Sequence, residues 1–522
     1  MPLPDDFVQR IRQQFPPEES AAFCAAILER EPYTSLRINL EKLETAATAA
    51  GSPLMLRKEE AAGRVPWCDT GWYLKQKFPF TFDPLFHAGA YYVQEASSMF
   101  PAHIPIPQTR PLHALDLCAA PGGKSTLLRS LLPAGSLLVS NEVMPARAAV
   151  LVENIRKWGH PDCLVTSARP TDFGRMEQMF DLILTDVPCS GEGMFRKDPE
   201  AVAQWTPKLV ENCAALQRQI LADVWPALKP GGLLLYSTCT YNTAEDEENV
   251  LWIARRLGAE IIPLSVKKEW GIQGSLLSDP LFPPADTDTE RLPLCHFFPH
   301  CTRGEGFFIA ALRKRPDPAT PASASTTGDC QSFPEPIGNE QAKASSRRAE
   351  PPHRKKGKPD KKAAAPAWSA EEKRTLLSFL QGPEEDWTLA FDEDTCTALH
   401  SLHAPFREAL QEKGIRLLHS GIPLAQRRGR DLIPHTALAL STALSRNRFP
   451  EAPLTHEQAL AYLRRDAIQL PPDIPRGFVL LTFRGIPLGF AKNIGNRCNN
   501  LYPAEWRIRT TYLPDRPQSL ME

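Results

Sequence analysis

The sequence holds no apolar run approaching the ~18 to 20 residues that span a bilayer, which argues against a membrane-crossing helix. Its twelve cysteines include no CxxC pair. In a chain this long, scattered thiols read as reduced side chains of a cytoplasmic protein rather than a disulfide framework. Charge of one sign is missing too: 60 basic residues face 61 acidic ones, for a formal net charge of -1. A nucleic-acid surface must therefore come from local patches. No internal repeat occurs, so a solenoid is excluded. The first fifteen residues, MPLPDDFVQRIRQQF, contain no uninterrupted apolar core. Phe7, Ile11 and Phe15 recur every four residues, which suits an amphipathic helix rather than a secretory signal.

What is present is enough for several cores. The 522 residues are 42% hydrophobic and 23% charged, and at ~150 residues per domain they imply about three to four units. Proline, at 51 residues, is about twice as frequent as usual and favours rigid connectors. Composition divides the chain into an N-terminal extension (1–85), a segment of alternating strand and helix patterns (86–314), a connector (315–366), a small mixed region (367–452) and a β-rich end (453–522). The connector is rich in Pro, Ala, Ser and charge, and its apolar content is too low to bury a core. Its stretch 341–362 carries nine Lys or Arg against two acids, a tether that adds salt-sensitive attraction to a phosphate backbone.

HALDLCAAPGGKSTLLRSLL (113–132) reads as a buried strand, a glycine turn and a helix. SLLVSNEV, CLVTS, FDLILTD and KPGGLLLYSTC supply further strands separated by helical stretches. Such alternation predicts right-handed βαβ units, an α/β fold whose parallel sheet is covered on both faces. Ligands in these sheets bind outside the carboxyl ends of the strands, at the switch in strand order. Gly122 and Gly123 fall in the first strand-to-helix turn, where a ligand approaches bare backbone. Glu142 closes the second strand, where a carboxylate takes both hydroxyls of a ribose. The run GGKST imitates the end of a phosphate-binding loop, but GxxxxGK needs glycine at position 118, which is Cys. A nucleoside triphosphate is therefore not expected.

Two cysteines share one sheet edge. Cys189 follows the strand ending at Asp186, and Cys239 follows the strand of LLLYSTC. Their Ser, Thr, Gly and charged neighbours suit a reactive thiolate better than a packed structural thiol. A separate run, LCHFFPHC, offers Cys295, His296, His300 and Cys301 as metal ligands, but their spacing is too tight for paired zinc knuckles. A strand-entry loop is the expectation there, and no metal is expected.

LDLCAAPGGKST, DVPCSGEGMFRKDP and YSTCTYNTAEDEENV resemble the signatures of RNA cytosine-5 methyltransferases of the NSUN/RsmB/RsmF superfamily. SLRINL, YYVQEASSM and RLPLCHFFPHCTRGEGFFIA extend the resemblance to its bacterial RsmF-like group. This resemblance implies a Rossmann-like class I core dependent on S-adenosylmethionine, an N-terminal RNA-binding extension, and C-terminal α+β and PUA-like domains. It implies that Cys239 attacks C6 of cytosine, making C5 nucleophilic toward the methyl group, and that Cys189 assists product release. Asp186 corresponds to the aspartate that contacts the base, and Lys124 steadies the base or the cofactor. Cys118, Ala119, Ala120, Pro121, Gly122, Gly123 and Lys124 are expected to wrap the cofactor, with Glu142 on its ribose and Asp186 beside them. One position departs from the family: Ser167, Ala168 and Arg169 stand where an adenine-facing aspartate is common, and Asp172 lies downstream.

The implied partner is 16S ribosomal RNA in the small subunit or its precursor, met by a cytoplasmic monomer without a membrane. The target base must be unstacked to meet a thiolate. Arg37, Asn39, Arg196 and Lys197 are expected as nucleotide contacts, and Lys492, Arg497, Arg507 and Arg509 as RNA-positioning charges of the C-terminal module. Transfer RNA as substrate, and a non-catalytic ribosome-assembly factor, are the alternatives.

Overall fold

A computed structural model describes residues 2–50, 54–283, 291–316, 367–510, 512 and 518–522. Residues 317–366 of the expected connector, including the basic stretch 341–362, lie outside the described residues. Among the described residues no helix is long and apolar enough to cross a membrane.

The four-residue spacing at the N-terminus forms helix α1 (Asp5–Gln14), followed by α2 (Pro17–Glu29). Phe7, Ile11 and Phe15 are buried with Phe23, and the cluster extends to Phe195, Trp205 and Phe298 of the central region. The N-terminal extension is thus held against the core by aromatic burial, each large ring contributing about 2 to 3 kcal/mol. A four-stranded antiparallel sheet follows, made of β1 (Ser35–Ile38), β2 (Ala61–Arg64), β3 (Gly71–Leu74) and β4 (Tyr91–Val93) in the order β2-β3-β1-β4.

The apolar runs of the central segment become β5 (His113–Asp116), β6 (Leu137–Asn141), β7 (Cys163–Ser167), β8 (Phe180–Asp186) and β9 (Leu228–Thr238). These five pair in parallel in the order β7-β6-β5-β8-β9. Their side chains alternate between two buried clusters: Ala114, Leu138, Val165, Leu182 and Leu235 on one face, Leu115, Val139, Leu164, Ile183 and Leu234 on the other. Burial on both faces is why each strand is apolar throughout rather than alternating. The chain passes from β5 outward to β6 and β7, then returns to the opposite side of β5 with β8. This leaves the crevice above the β5 and β8 carboxyl ends as the binding position.

Two edges of this sheet escape the periodicity argument. Strand Phe307–Lys314 runs antiparallel to β9 and carries β10 (Ala259–Ile262) beyond it. At the other edge, strand Arg416–Ser420 pairs antiparallel with β7. Gly159, at φ +86°, ends the helix Pro145–Trp158 close against the same downstream region, since a β-carbon there would lie 2.0 Å from the Leu440 carbonyl oxygen. The β-rich end forms a sheet of Glu451–Pro453, Gly477–Phe483, Ile486–Asn493 and Cys498–Asn500.

The run 295–301 is a strand in its first three residues and the expected strand-entry loop in the remainder, which leads toward Phe307–Lys314. Cys295–Phe297 is a strand paired with Phe307–Lys314, and its Phe297 and Phe298 sit in buried clusters. Burial is continuous from Leu292 to Pro299, with Cys295 and Phe297 in one cluster and Phe298 in another.

Candidate active site

The carboxyl end of β5 leads through Leu117–Gly122 into the helix Gly123–Leu131. Gly122 sits at φ +115°, a conformation that favours glycine. The loop is braced from behind: Asn154 Nδ2 donates to the Pro121 carbonyl at 2.8 Å, and Arg147 Nη2 to that of Ala120 at 2.9 Å. Cys118, Ala119, Ala120, Pro121, Gly123, Lys124 and Asp186 come together around one cavity of about 200 Å3. Gly122 and Glu142 are not in its lining. The opposite wall is Tyr92, Val93, Gln94, Glu95 and Ser98. Sequence reading assigned this wall no role, because only the fold brings β4 across to the glycine turn.

The donors and acceptors around this cavity fit a nucleoside cofactor with a carboxylate. The first-turn amides of the helix Gly123–Leu131 have no intrahelical acceptor, an arrangement that favours an anion. Glu142 Oε1 accepts from the Met144 amide at 2.9 Å. Its other oxygen, Oε2, is buried and accepts no hydrogen bond, although Arg147 Nη1 approaches to 3.3 Å. A ribose hydroxyl is the type of donor that oxygen lacks.

The two thiols meet. Cys189 lies just beyond β8 and Cys239 just beyond β9, and the two strands are in register through Asp186 and Ser237. Their sulfurs are 3.1 Å apart. The hydrogen bond with Cys239, then burial, push the Cys189 thiol well above its usual range. Beside them Lys124 Nζ is 2.8 Å from Asp186 Oδ2, while Ser237 Oγ donates to Asp186 Oδ1 at 3.0 Å. Burial works against the Lys124 charge, but Asp186 and the nearby Cys239 outweigh it and raise its pKa. The arrangement sets a close pair of thiols beside a fixed ammonium–carboxylate pair.

A buried polar scaffold fixes these loops. Glu192, in the GEG segment after Cys189, accepts from the Tyr241 amide (2.8 Å), Trp205 Nε1 (3.0 Å) and Asn242 Nδ2 (3.1 Å). The Gly193 amide donates to the Cys239 carbonyl at 2.8 Å. Glu245 accepts from the Ser190 amide at 3.0 Å and from Gln217 Nε2 at 2.7 Å. The acid-rich AEDEEN run was the visible signal for this network, which joins the loop of one cysteine to that of the other.

Glu192 also sets a pH dependence. Burial, then the Glu245 charge, holds its carboxyl up at about 7 from an ordinary 4.5. The folded state therefore keeps a proton that the unfolded chain has already lost. That stability is complete below about pH 4.5 and disappears as pH climbs toward about 7. Asp116, raised to about 7 by burial, acts with the same sign. Denaturant unfolding between about pH 5 and 7 should show stability falling by up to about 1.4 kcal/mol per pH unit for each such group. Glu192→Gln should flatten that slope, and an unchanged slope would remove Glu192 from the account.

Three expected nucleotide contacts are engaged elsewhere. Arg37 is fully buried, donating to Gln94 Oε1 (3.1 Å), Thr126 Oγ1 (2.6 Å) and the Gly123 carbonyl (3.3 Å), with its guanidinium 4.4 Å from the Trp158 ring centre. It clamps the start of the helix Gly123–Leu131, so its guanidinium is not on the surface. Asn39 is buried and donates to the Gly89 and Trp158 carbonyls. Arg196 pairs with Glu305 at 3.3 Å and donates to the Ala26 carbonyl at 2.9 Å. Lys197 remains exposed, 3.6 Å from Glu305. Asp172 accepts from the Arg169 amide at 3.0 Å, so the start of the helix Pro170–Gly174 occupies it.

The four candidate ligands of LCHFFPHC do not converge. His296 is fully buried, 2.9 Å from Glu247 Oε1, whereas His300 faces Glu19 at 3.2 Å and Cys301 accepts from Gln273 Nε2 at 3.2 Å. In the β-rich end Lys492 pairs with Asp431, while Arg497, Arg507 and Arg509 are exposed.

Comparison with known proteins gives consistent matches along the chain. Residues 107–313 match the 16S rRNA methyltransferase RsmB/F family, residues 3–96 the N-terminal domain of 16S rRNA methyltransferase RsmF, and residues 449–508 the methyltransferase RsmF PUA domain. Ribosomal RNA small subunit methyltransferase F of Salmonella agona is 31% identical over 515 residues, covering 96% of both chains. The protein of the same name from Shigella boydii matches to the same extent. Among solved structures, a methyltransferase homologue from Pyrococcus horikoshii is 27% identical with a TM-score of 0.46, covering 59% of this chain and 94% of its own.

Proposed function

Because the chain belongs to the ribosomal RNA small subunit methyltransferase F family, we propose that it forms 5-methylcytosine in 16S ribosomal RNA through a covalent adduct on Cys239. The family is one of S-adenosylmethionine-dependent methyltransferases that act on 16S ribosomal RNA. When bound, S-adenosylmethionine supplies an electrophilic methyl group. Residues 118–124 and Glu142 would hold it, the loop amides taking its carboxylate and Glu142 its ribose.

The remaining steps belong to this chain's side chains. The Cys239 thiolate adds to C6 of the cytosine, and the ring electrons so displaced make C5 the nucleophile. Asp186, fixed by Lys124 and Ser237, contacts the base edge where charge develops. After methylation a base takes the C5 proton, the C5–H electron pair re-forms the ring double bond, and the C6–S pair returns to the Cys239 sulfur. Cys189 assists that departure, since its sulfur lies 3.1 Å from the leaving one.

The observation that carries this reading is the 3.1 Å approach of two thiols beside the Lys124–Asp186 pair. A cytosine methylase needing a single nucleophile has no use for the second thiol. Bisulfite sequencing of 16S ribosomal RNA from cells with and without the gene tests it. Loss of one or more 5-methylcytosine signals is expected. An unchanged 16S pattern with a mark lost from transfer RNA would overturn the substrate.

A further inference from the structure

A cavity of about 970 Å3 opens beside the one that contains Lys124 and Asp186 and shares Val93, Gln94 and Glu95 with it. Its walls come from the N-terminal extension, including β3 and β4, and from the segment after Cys189. Three lysines line it, Lys75, Lys77 and Lys197, all exposed. Of its two acids, Glu95 is already committed, accepting from the amides of Ser97 (3.0 Å), Ser98 (2.8 Å) and Glu305 (3.2 Å). Glu31 is the second acid of the lining, and Lys197 also lies 3.6 Å from the buried Glu305 carboxylate behind the wall. Two half-buried aromatic rings, Tyr33 and Phe80, complete the lining.

We propose that this groove holds the single-stranded RNA that flanks the target cytosine, with Lys75, Lys77 and Lys197 on phosphates and Tyr33 as a stacking face. The inference rests on the reading of the chain as an RNA methyltransferase and adds where its substrate strand lies. Cations beside aromatic faces are the chemistry of single-strand binding, in which bases stack and ammonium groups follow the backbone. A fully paired helix would not serve, because a base delivered to Cys239 must already have left its stack. The shared wall at Val93–Glu95 makes the groove continuous with the cavity that contains Lys124 and Asp186. A nucleotide neighbouring the target would then lie over the N-terminal extension. Phe80 also packs against Phe78, Phe86 and Tyr91, so it supports the wall as well as facing the groove.

The test uses the full-length protein and a fluorescein-labelled single-stranded oligoribonucleotide with one central cytosine. Its affinity is measured by anisotropy across a salt series. The triple variant Lys75→Glu, Lys77→Glu, Lys197→Glu should weaken binding by at least about tenfold. Its log-affinity against log-salt slope should become shallower by about 2, given ~0.7 per phosphate contact on a single strand. Tyr33→Ala should weaken binding by about 5- to 100-fold without changing the slope, because stacking releases no counterions. Thermal melting and S-adenosylmethionine calorimetry verify that each variant is folded and takes the cofactor. Wild-type affinity and slope in a folded, cofactor-binding triple variant would overturn the groove assignment. Should the groove variants lose RNA while no RNA ever forms an adduct on the Cys189→Ala protein, the catalytic reading falls and the groove stands.

Discussion

Cys239→Ser should abolish methyl transfer, by at least about a thousandfold, and Cys189→Ala should instead accumulate protein covalently bound to RNA. The two expectations differ because the thiols hold different places in one pair. Cys239 lies directly after β9 with its carbonyl pinned by the Gly193 amide. A hydroxyl there is a far weaker nucleophile near neutral pH than a thiolate, and the nearby Lys124 amine is held as an ammonium by Asp186, so it takes no proton from a serine. Removal of Cys189 spares the attack while leaving the departing sulfur without its 3.1 Å neighbour. Incubation with S-adenosylmethionine and substrate RNA, then denaturing electrophoresis, should show a slow-migrating adduct for Cys189→Ala alone. Identical behaviour of the two variants would refute the division of roles.

Lys124→Met should lower kcat by about 100- to 1000-fold, the range for removal of one preorganised charge from an active site. The ammonium is the only cation that the structure places within salt-bridge distance of Asp186 among the described residues, at 2.8 Å. Methionine preserves most of the side-chain volume and its contact with Phe307, whose ring centre lies 5.0 Å from Nζ. The loss should therefore appear in the rate and leave the melting temperature within a few degrees of wild type. Single-turnover kinetics with saturating RNA and S-adenosylmethionine, paired with thermal unfolding, separates the two. A variant that unfolds but turns over normally when stabilised would show Lys124 to be structural.

The central strands and both cysteines were legible because their determinants are local. Doubly buried parallel strands are apolar runs, a glycine turn must follow the first of them, and a thiol after a strand end can only sit at that edge. Long-range relations were not legible. Arg37 and Arg196 were read as phosphate contacts because a buried guanidinium that clamps backbone carbonyls looks, in sequence, the same as one awaiting a ligand. Glu192 gave no hint of its role until Tyr241 and Asn242, about fifty residues later, folded over it. In the 295–301 run, tight Cys/His spacing already argued against a metal, but that Cys295 and His296 are fully buried in a strand at the edge of the core was not legible. Tyr92 to Ser98 carried no mark of a binding wall, since their position against residues 118–124 depends on how the N-terminal sheet meets the central one.

The pairing of Arg416–Ser420 with β7 has a consequence for biosynthesis. A ribosome finishes β5 to β9 well before it delivers residue 416, a delay on the order of tens of seconds at ~5–20 residues per second. For that interval β7 presents a bare hydrogen-bonding edge bearing Leu164 and Val165, a template for pairing with a stranger. A shortened chain that stops at residue 316 would retain the bare edge permanently. Its failure would then be self-association, with every catalytic side chain still in place.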